Sequence, residues 1–366
     1  MISVLVVDDS VVVRRLVADA LSADRGVEVV GTAPNGRVAL AKLDQLAPDL
    51  VTLDIEMPVM DGLTTLRQLR RTHPKLPVIM FSTLTRAGAT ATLDALAAGA
   101  SDYVTKPANV GSVAESLASV RDQLLPRIHA LCDRPAVPKP PAMPVPTRDR
   151  ADAQRRSGRP PPGAGGVDVI AVGCSTGGPD ALTRMLTMLP AGLPVPVVVV
   201  QHMPPVFTAM FAERLNRMTA LTVVEAVDGT TLRPGTVYIA PGNQHLTVVR
   251  QGTAVVTRLH GGPPENYCRP AVDVLFRSVA TAFGGAAVGV VLTGMGQDGA
   301  RGCRLLHAAG AEIVVQDEAS SVVWGMPGAV VGGGVADAVL TVDQIAAHLA
   351  QRTARGVAGA FARARP

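Results

Sequence analysis

Runs of apolar residues broken by helical patterns organise the first third of the chain. Val4–Val7, Val27–Gly31, Leu50–Leu53, Val78–Phe81 and Asp102–Val104 read as strands, with helical spacing between them at Val11–Leu21, Arg37–Leu46 and Gly62–Arg71. Five such strand–helix units predict one doubly wound parallel sheet. The pattern resumes at residue 167, with strands at Val169–Val172, Val195–Val200, Thr236–Ile239, Val288–Leu292 and Ile313–Gln316. Fully apolar strands of this kind belong to a sheet covered on both faces. The expected fold class is α/β: an N-terminal flavodoxin-like (βα)5 domain, then a doubly wound α/β domain with a mostly parallel sheet.

The stretch between breaks the pattern. Residues 126–166 hold ten of the 29 prolines. They cannot supply a packed core and read as a linker. The expected divisions are 1–125, a Pro/Arg-rich linker at 126–166, 167–350, and a disordered basic tail at 351–366.

Charge supports that division. The chain carries a net charge of +4, but 127–166 holds eight Arg/Lys against three Asp, and 351–366 holds four Arg and no acid. The folded remainder is therefore acidic, and no basic stripe interleaved with aromatics points to nucleic acid. No apolar run reaches the roughly 18 residues of a membrane span, and no secretory signal is seen. Four cysteines, Cys132, Cys174, Cys268 and Cys303, are scattered without a C-x-x-C pair. That argues against zinc and disulfides and suits a reducing cytoplasm.

Chemistry gathers at predicted strand ends. Asp8 and Asp9 follow the first strand, Asp54 the third, Ser82 the fourth and Lys106 the fifth. In a doubly wound sheet these ends meet in one crevice. Three carboxylates repel unless a cation offsets them, and an all-oxygen set suits Mg²⁺. Lys106 can pair with a phosphoryl group and the Ser82 hydroxyl can hydrogen-bond it. Single acids at strand ends are also commonly solvated loop residues; it is the combination that points to a phosphate site.

In the second half, the strand from Val169 runs into Gly173-Cys174-Ser175-Thr176-Gly177-Gly178-Pro179, a Gly-x-Ser-x-Gly turn that can hold a serine out at the sheet edge. A glycine-rich strand-to-helix turn with no catalytic role is the plain alternative. A nucleotide-binding turn fails the Gly-x-Gly-x-x-Gly spacing. A nucleophilic serine needs a base. Of seven histidines, His202 ends an all-apolar strand and should emerge beside Ser175; a structural histidine is the competing reading. Asp298 follows another apolar strand through Thr293-Gly294-Met295-Gly296-Gln297. It could orient the imidazole or simply cap the next helix; Asp180, Asp228, Asp273 and Asp317 compete for the role.

The motifs resemble two families. Val-Asp-Asp-Ser at 7–10, Leu-Asp-Ile-Glu-Met-Pro-Val-Met-Asp-Gly at 53–62 and Tyr-Val-Thr-Lys-Pro at 103–107 resemble response-regulator receivers. The resemblance implies that Asp54 accepts a phosphoryl group from a histidine kinase, Asp8 and Asp9 help hold Mg²⁺, Lys106 contacts the phosphoryl group and Ser82 reports it. Gly-Cys-Ser-Thr-Gly-Gly-Pro at 173–179, Gln-His-Met-Pro-Pro at 201–205, Tyr-Ile-Ala-Pro-Gly at 238–242 and Leu-Thr-Gly-Met-Gly-Gln-Asp-Gly at 292–299 resemble the catalytic domain of CheB-type chemoreceptor methylesterases, with 269–276 in agreement.

That second resemblance implies a cytoplasmic, phosphorylation-regulated serine hydrolase of chemotaxis adaptation. It would demethylate glutamate γ-methyl esters on chemoreceptor helices, release methanol and also deamidate receptor glutamines, with no cofactor for hydrolysis and no membrane insertion. Ser175, His202 and Asp298 map onto the family triad, Thr176 onto a site neighbour, and the Met295 N–H onto an oxyanion donor. Cys174 departs from an expected Ala and suggests alkylation sensitivity; Cys268 departs from an expected His. A hydrolase for another ester or amide, or a regulator whose output domain only binds a partner, are the alternatives.

Overall fold

A computed structural model describes residues 1–107, 112–132 and 166–363, with side chains described to residue 354. The chain divides into two compact units, Met1–Pro135 and Ala136–Pro366.

The first unit holds β1 (Ile2–Val7), α1 (Val11–Leu21), β2 (Val27–Ala33), α2 (Gly36–Leu46), β3 (Leu50–Asp54), α3 (Gly62–Thr72), β4 (Val78–Ser82), α4 (Arg86–Ala97), β5 (Asp102–Thr105) and α5 (Val113–Cys132). Its sheet is parallel, in order β2-β1-β3-β4-β5. The order reverses between β1 and β3, so a crevice opens at their carboxyl ends. Helix starts follow local chemistry: Ser10 and Asp61 accept the N–H groups of Val13 and Thr64. Gly62 is required, because a Cβ there would lie 2.0 Å from the Asp54 carbonyl oxygen.

The boundary expected at residue 125 is wrong. Helix α5 continues through Pro126 to Cys132 because its buried face does: Val120, Leu124 and Ile128 are all buried in the core. His129 pairs with Asp24 at 2.7 Å, and Arg127 with Asp102 at 3.1 Å. The rest of the predicted linker, from 133 to 165, lies outside the described residues.

The second unit comprises β6 (Val169–Cys174), α6 (Gly178–Thr187), β7 (Val197–Gln201), α7 (Phe207–Met218), β8 (Thr222–Glu225), β9 (Thr236–Ile239), β10 (His245–Gln251), β11 (Ala254–His260), α8 (Val272–Phe283), β12 (Ala287–Val291), α9 (Ala300–Ala308), β13 (Glu312–Gln316), α10 (Gly325–Gly332), β14 (Ala338–Leu340) and α11 (Val342–Arg363). Seven strands form a parallel sheet, β14-β13-β12-β6-β7-β9-β8. β10 and β11 form a separate antiparallel hairpin turned at Gly252 (φ +60°). The sequence reading missed this hairpin and the short β8 and β14. Its signal was present as a two-residue, glycine-containing loop between strand-forming runs.

The expected tail at 351–366 also needs correction. α11 runs to Arg363, and Arg352 is buried. Its guanidinium meets Glu312 of β13 at 2.7 Å, while His348 takes the other carboxylate oxygen at 2.8 Å. Counted along the sequence, Arg352 looked like tail charge; in the fold it neutralises a buried acid, as buried charges must be.

Ile128 tests the revised boundary of the first unit. Ile128→Ala should destabilise the first unit by about 2–5 kcal/mol, read by chemical denaturation. A change of a few tenths would place residue 128 outside the core.

Candidate functional site

Two strand-end clusters stand out, one in each unit.

In the first, Asp8 follows β1 and Asp54 ends β3; both are buried, while Asp9 is exposed. The Lys106 ammonium lies 2.9 Å from Asp8 Oδ2 and 2.8 Å from Asp54 Oδ1. Asp54 Oδ1 also accepts the Ile55 N–H at 2.8 Å, whereas its Oδ2 is buried with no hydrogen-bond donor among the described residues. Each of Asp8, Asp9 and Asp54 offers an oxygen within 4.8 Å of the others. An unmatched carboxylate oxygen in an all-oxygen cluster fits a hard divalent cation. The cluster opens into a cleft of about 220 Å³ that Ser82 and Thr83 also line. Ser82 donates to the Gly88 carbonyl at 3.2 Å and accepts from Thr92 at 2.7 Å, which ties the cleft to α4.

Burial raises the Asp54 carboxyl to about 6, with Asp8 adding repulsion and Lys106 opposing both. Burial pulls the Lys106 ammonium down, and its bonds to Asp54 and Asp8 more than restore it, so it stays charged.

In the second cluster, β6, β7 and β12 are neighbours, and β6 lies where the strand order reverses. Ser175 follows β6, His202 follows β7, and Asp298 lies in the turn after β12. Parallel strands stand roughly 4.8 Å apart, so the pairing of Cys174 with Gln201 puts Ser175 and His202 side by side. The backbone is closely tied: the His202 N–H donates to the Cys174 carbonyl at 3.1 Å, and the Gln201 amide to the Ser175 carbonyl at 3.0 Å. Gly177 (φ +74°) makes the turn into α6. Gly294 lets the β12 loop approach, since a Cβ there would lie 2.9 Å from Ser175 Cβ.

Asp298 is the most heavily bonded side chain of the cluster. Its Oδ2 accepts His202 Nε2–H at 2.9 Å and the Val272 N–H at 2.6 Å. Its Oδ1 accepts Asn266 Nδ2 at 2.8 Å, the Gly299 N–H at 2.9 Å and the Asp273 N–H at 3.0 Å. Val272 and Asp273 open α8, so the carboxylate caps that helix across space. The alternative role for Asp298, capping the following helix, is not what forms: α9 begins at Ala300 with Gly299 as N-cap and no side-chain cap. Burial works against the Asp298 anion, but His202 and the backbone donors hold its carboxyl below the usual range.

For His202, burial lowers proton affinity, and the bonds to Asp298 and Cys268 overcome it, raising the imidazole to about 10. With Nε2 committed to Asp298, Nδ1 faces Cys268 Sγ at 3.6 Å. Among the described residues no hydrogen bond joins Nδ1 to the Ser175 hydroxyl.

Thr176 is buried beside the turn, its carbonyl accepting the Thr293 hydroxyl at 2.9 Å. The Met295 N–H has no acceptor among the described residues. Cys174 is fully buried and burial pushes its thiol upward, so the expected alkylation sensitivity does not belong to it. Cys268, by contrast, is half-open. Sequence reasoning also missed Asn266, whose amide links Asp298 to Asp273 at 2.8 and 2.9 Å. It lies in a loop with no strand or helix pattern, and nothing local marks it.

The Asp54 shift has a stability consequence. A carboxyl raised on folding contributes stability that is fully present below its unfolded value of 3.8 and lost as pH rises through about 6. In metal-free buffer Asp54→Asn should stabilise the protein by roughly 1–2 kcal/mol at neutral pH, after allowance for solvent screening. The gain should fade on acidification. Thermal unfolding of both forms across that range checks it; a gain independent of pH would refute the shift.

Comparison with known proteins covers both units. Residues 4–118 match the response regulator receiver domain, and residues 170–349 match the CheB methylesterase family. A protein-glutamate methylesterase/protein-glutamine glutaminase of Nocardioides sp. is 56% identical over 97% of this chain and 96% of its own length. One of Trichodesmium erythraeum is 49% identical over 95% and 98%. The crystal structure of the Thermotoga maritima CheB methylesterase catalytic domain matches 50% of this chain and 98% of its own, at 40% identity and a TM-score of 0.50. Identity on this scale, along almost the whole length, makes the chain a member of the CheB family, with a response regulator receiver joined to a methylesterase domain.

Proposed function

We propose that Ser175 is the nucleophile, His202 the base and Asp298 the orienting acid of a protein-glutamate methylesterase that also deamidates glutamine. The observation that carries this reading is the convergence of the three residues on adjacent ends of β6, β7 and β12, with His202 held by Asp298 at 2.9 Å.

Ser175 Oγ attacks the γ-carbonyl of a methylated glutamate. His202 Nδ1 accepts its proton, which requires the ring to exchange Cys268 for the hydroxyl, a side-chain adjustment between residues already on neighbouring strands. The Met295 N–H serves as the oxyanion donor in this reading, supported by the bond from the Ser175 N–H to the Thr293 carbonyl at 3.1 Å, which keeps that loop beside the serine. His202 then returns the proton to the departing methoxide, methanol leaves, and water attacking the acyl-serine through the same base releases glutamate. A glutamine amide follows the same course and releases ammonia.

The receiver supplies regulation. Asp54 takes a phosphoryl group from a histidine kinase, and Lys106 meets the added charge. Mg²⁺, held by Asp8, Asp9 and Asp54, would neutralise the transferring phosphoryl oxygens. Ser82, released from Gly88, reports the event to α4. The substrate is the cytoplasmic helical part of a chemoreceptor, so the protein works in the cytoplasm. None of its described helices is long and apolar enough to cross a membrane.

Ser175→Ala should lower methanol release from methylated receptor on the order of 10⁴-fold or more with folding intact. Asp54→Asn should keep basal turnover and lose stimulation by a phosphodonor. Near-normal hydrolysis by the first variant would remove Ser175 from its role.

The raised His202 imidazole sets the pH dependence. Only its neutral form accepts a proton, so kcat/KM should climb with pH through and beyond the neutral range. Asp298→Asn removes the chief raising partner, so the limb should move toward acid while the plateau falls by about 10⁴-fold. A limb that stays in place would show that Asp298 does not control the ring.

A further inference from the structure

The sequence argued against zinc, because no two cysteines lie close along the chain. The fold nevertheless brings Cys268 to His202. We infer that Cys268 Sγ and His202 Nδ1 form a binding site for a thiophilic divalent cation, with zinc as its type, whose occupancy blocks the base.

The separation fits. Zinc binds thiolate sulfur at about 2.3 Å and imidazole nitrogen at about 2.0–2.1 Å, so two such ligands at a tetrahedral angle stand about 3.6 Å apart. Cys268 Sγ and His202 Nδ1 are 3.6 Å apart. Little reorganisation is needed, because reciprocal backbone bonds between Glu265 and Cys268, at 2.9 and 3.1 Å, already hold the cysteine in a tight turn.

The surroundings choose the binding mode. His202, Cys268 and Asp298 each offer a ligand atom within 4.8 Å of the others. Asp298, however, already accepts five hydrogen bonds and has no lone pair directed elsewhere. It therefore serves the metal indirectly. It holds the proton on Nε2 and leaves Nδ1 as the nitrogen that gives up its proton to bind, the carboxylate–histidine–metal relay common in zinc sites. The half-open Cys268 gives access from solvent. Solvent completes the coordination, so the site binds an inhibitory ion rather than a structural one. On binding, the Cys268 thiol and Nδ1 of the imidazolium each lose a proton to solvent as the metal–sulfur and metal–nitrogen bonds form.

Binding and inhibition can be measured separately on the full chain. Cobalt(II) should produce a thiolate-to-cobalt charge-transfer band in the near ultraviolet, absent from Cys268→Ser and weakened in His202→Gln. The oxygen-only receiver cluster gives no such band. Zinc should inhibit ester hydrolysis reversibly, chelator restoring it. In Cys268→Ser the half-inhibiting concentration should rise about tenfold or more relative to that variant's own chelated rate. A wild-type protein without the band, or a band that survives Cys268→Ser, overturns the site. Equal zinc sensitivity of wild type and Cys268→Ser overturns the inhibition. The inhibition rests on the esterase reading and the band does not; loss of ester hydrolysis in metal-free wild type would count against the esterase reading alone.

Discussion

The hydrolase domain depends on the charge carried by Asp298. A carboxylate this deeply buried is tolerable only where donors surround it, and five do. Two of them are the opening N–H groups of α8, whose dipole favours a negative charge at that point. One carboxylate therefore joins the start of α8, the loop at Asn266, the turn into α9 and the imidazole of His202. The helix that fixes the carboxylate also fixes the ring.

The receiver follows the opposite principle. Its buried carboxylates are left short of donors: Lys106 serves both Asp8 and Asp54, and Asp54 Oδ2 has none among the described residues. Burial then lifts the Asp54 carboxyl, whereas abundant donors depress that of Asp298. Two aspartates, both at sheet edges, are tuned in opposite directions by the number of donors nearby. In the proposed roles, the shortage in the receiver suits a group that accepts a new ligand, and the saturation in the hydrolase suits one that stays ionised.

Strand ends were readable in the sequence because apolar runs and glycine turns are local features. Asp8, Asp54, Ser175, His202 and Asp298 could all be found that way. What could not be read was set by contacts between distant segments. Asn266 has no local signature, and its role exists only because residues 273 and 298 come together. The exchange of alkylation risk between Cys174 and Cys268 was likewise invisible, since burial separates two residues that composition treats alike. Both misplaced boundaries had the same cause. Proline at 126 and arginines beyond 350 suggested unfolded chain, while Ile128 and Arg352 were committed to partners far away in sequence.

The Glu312–His348–Arg352 cluster bears on how the hydrolase half can be isolated. A fragment ending at residue 350 would keep Ser175, His202 and Asp298 yet leave a buried glutamate on β13 without its arginine. Its weakness would surface at the sheet, two strands from the serine, and would resemble a catalytic defect. The proper cut lies beyond the arginine.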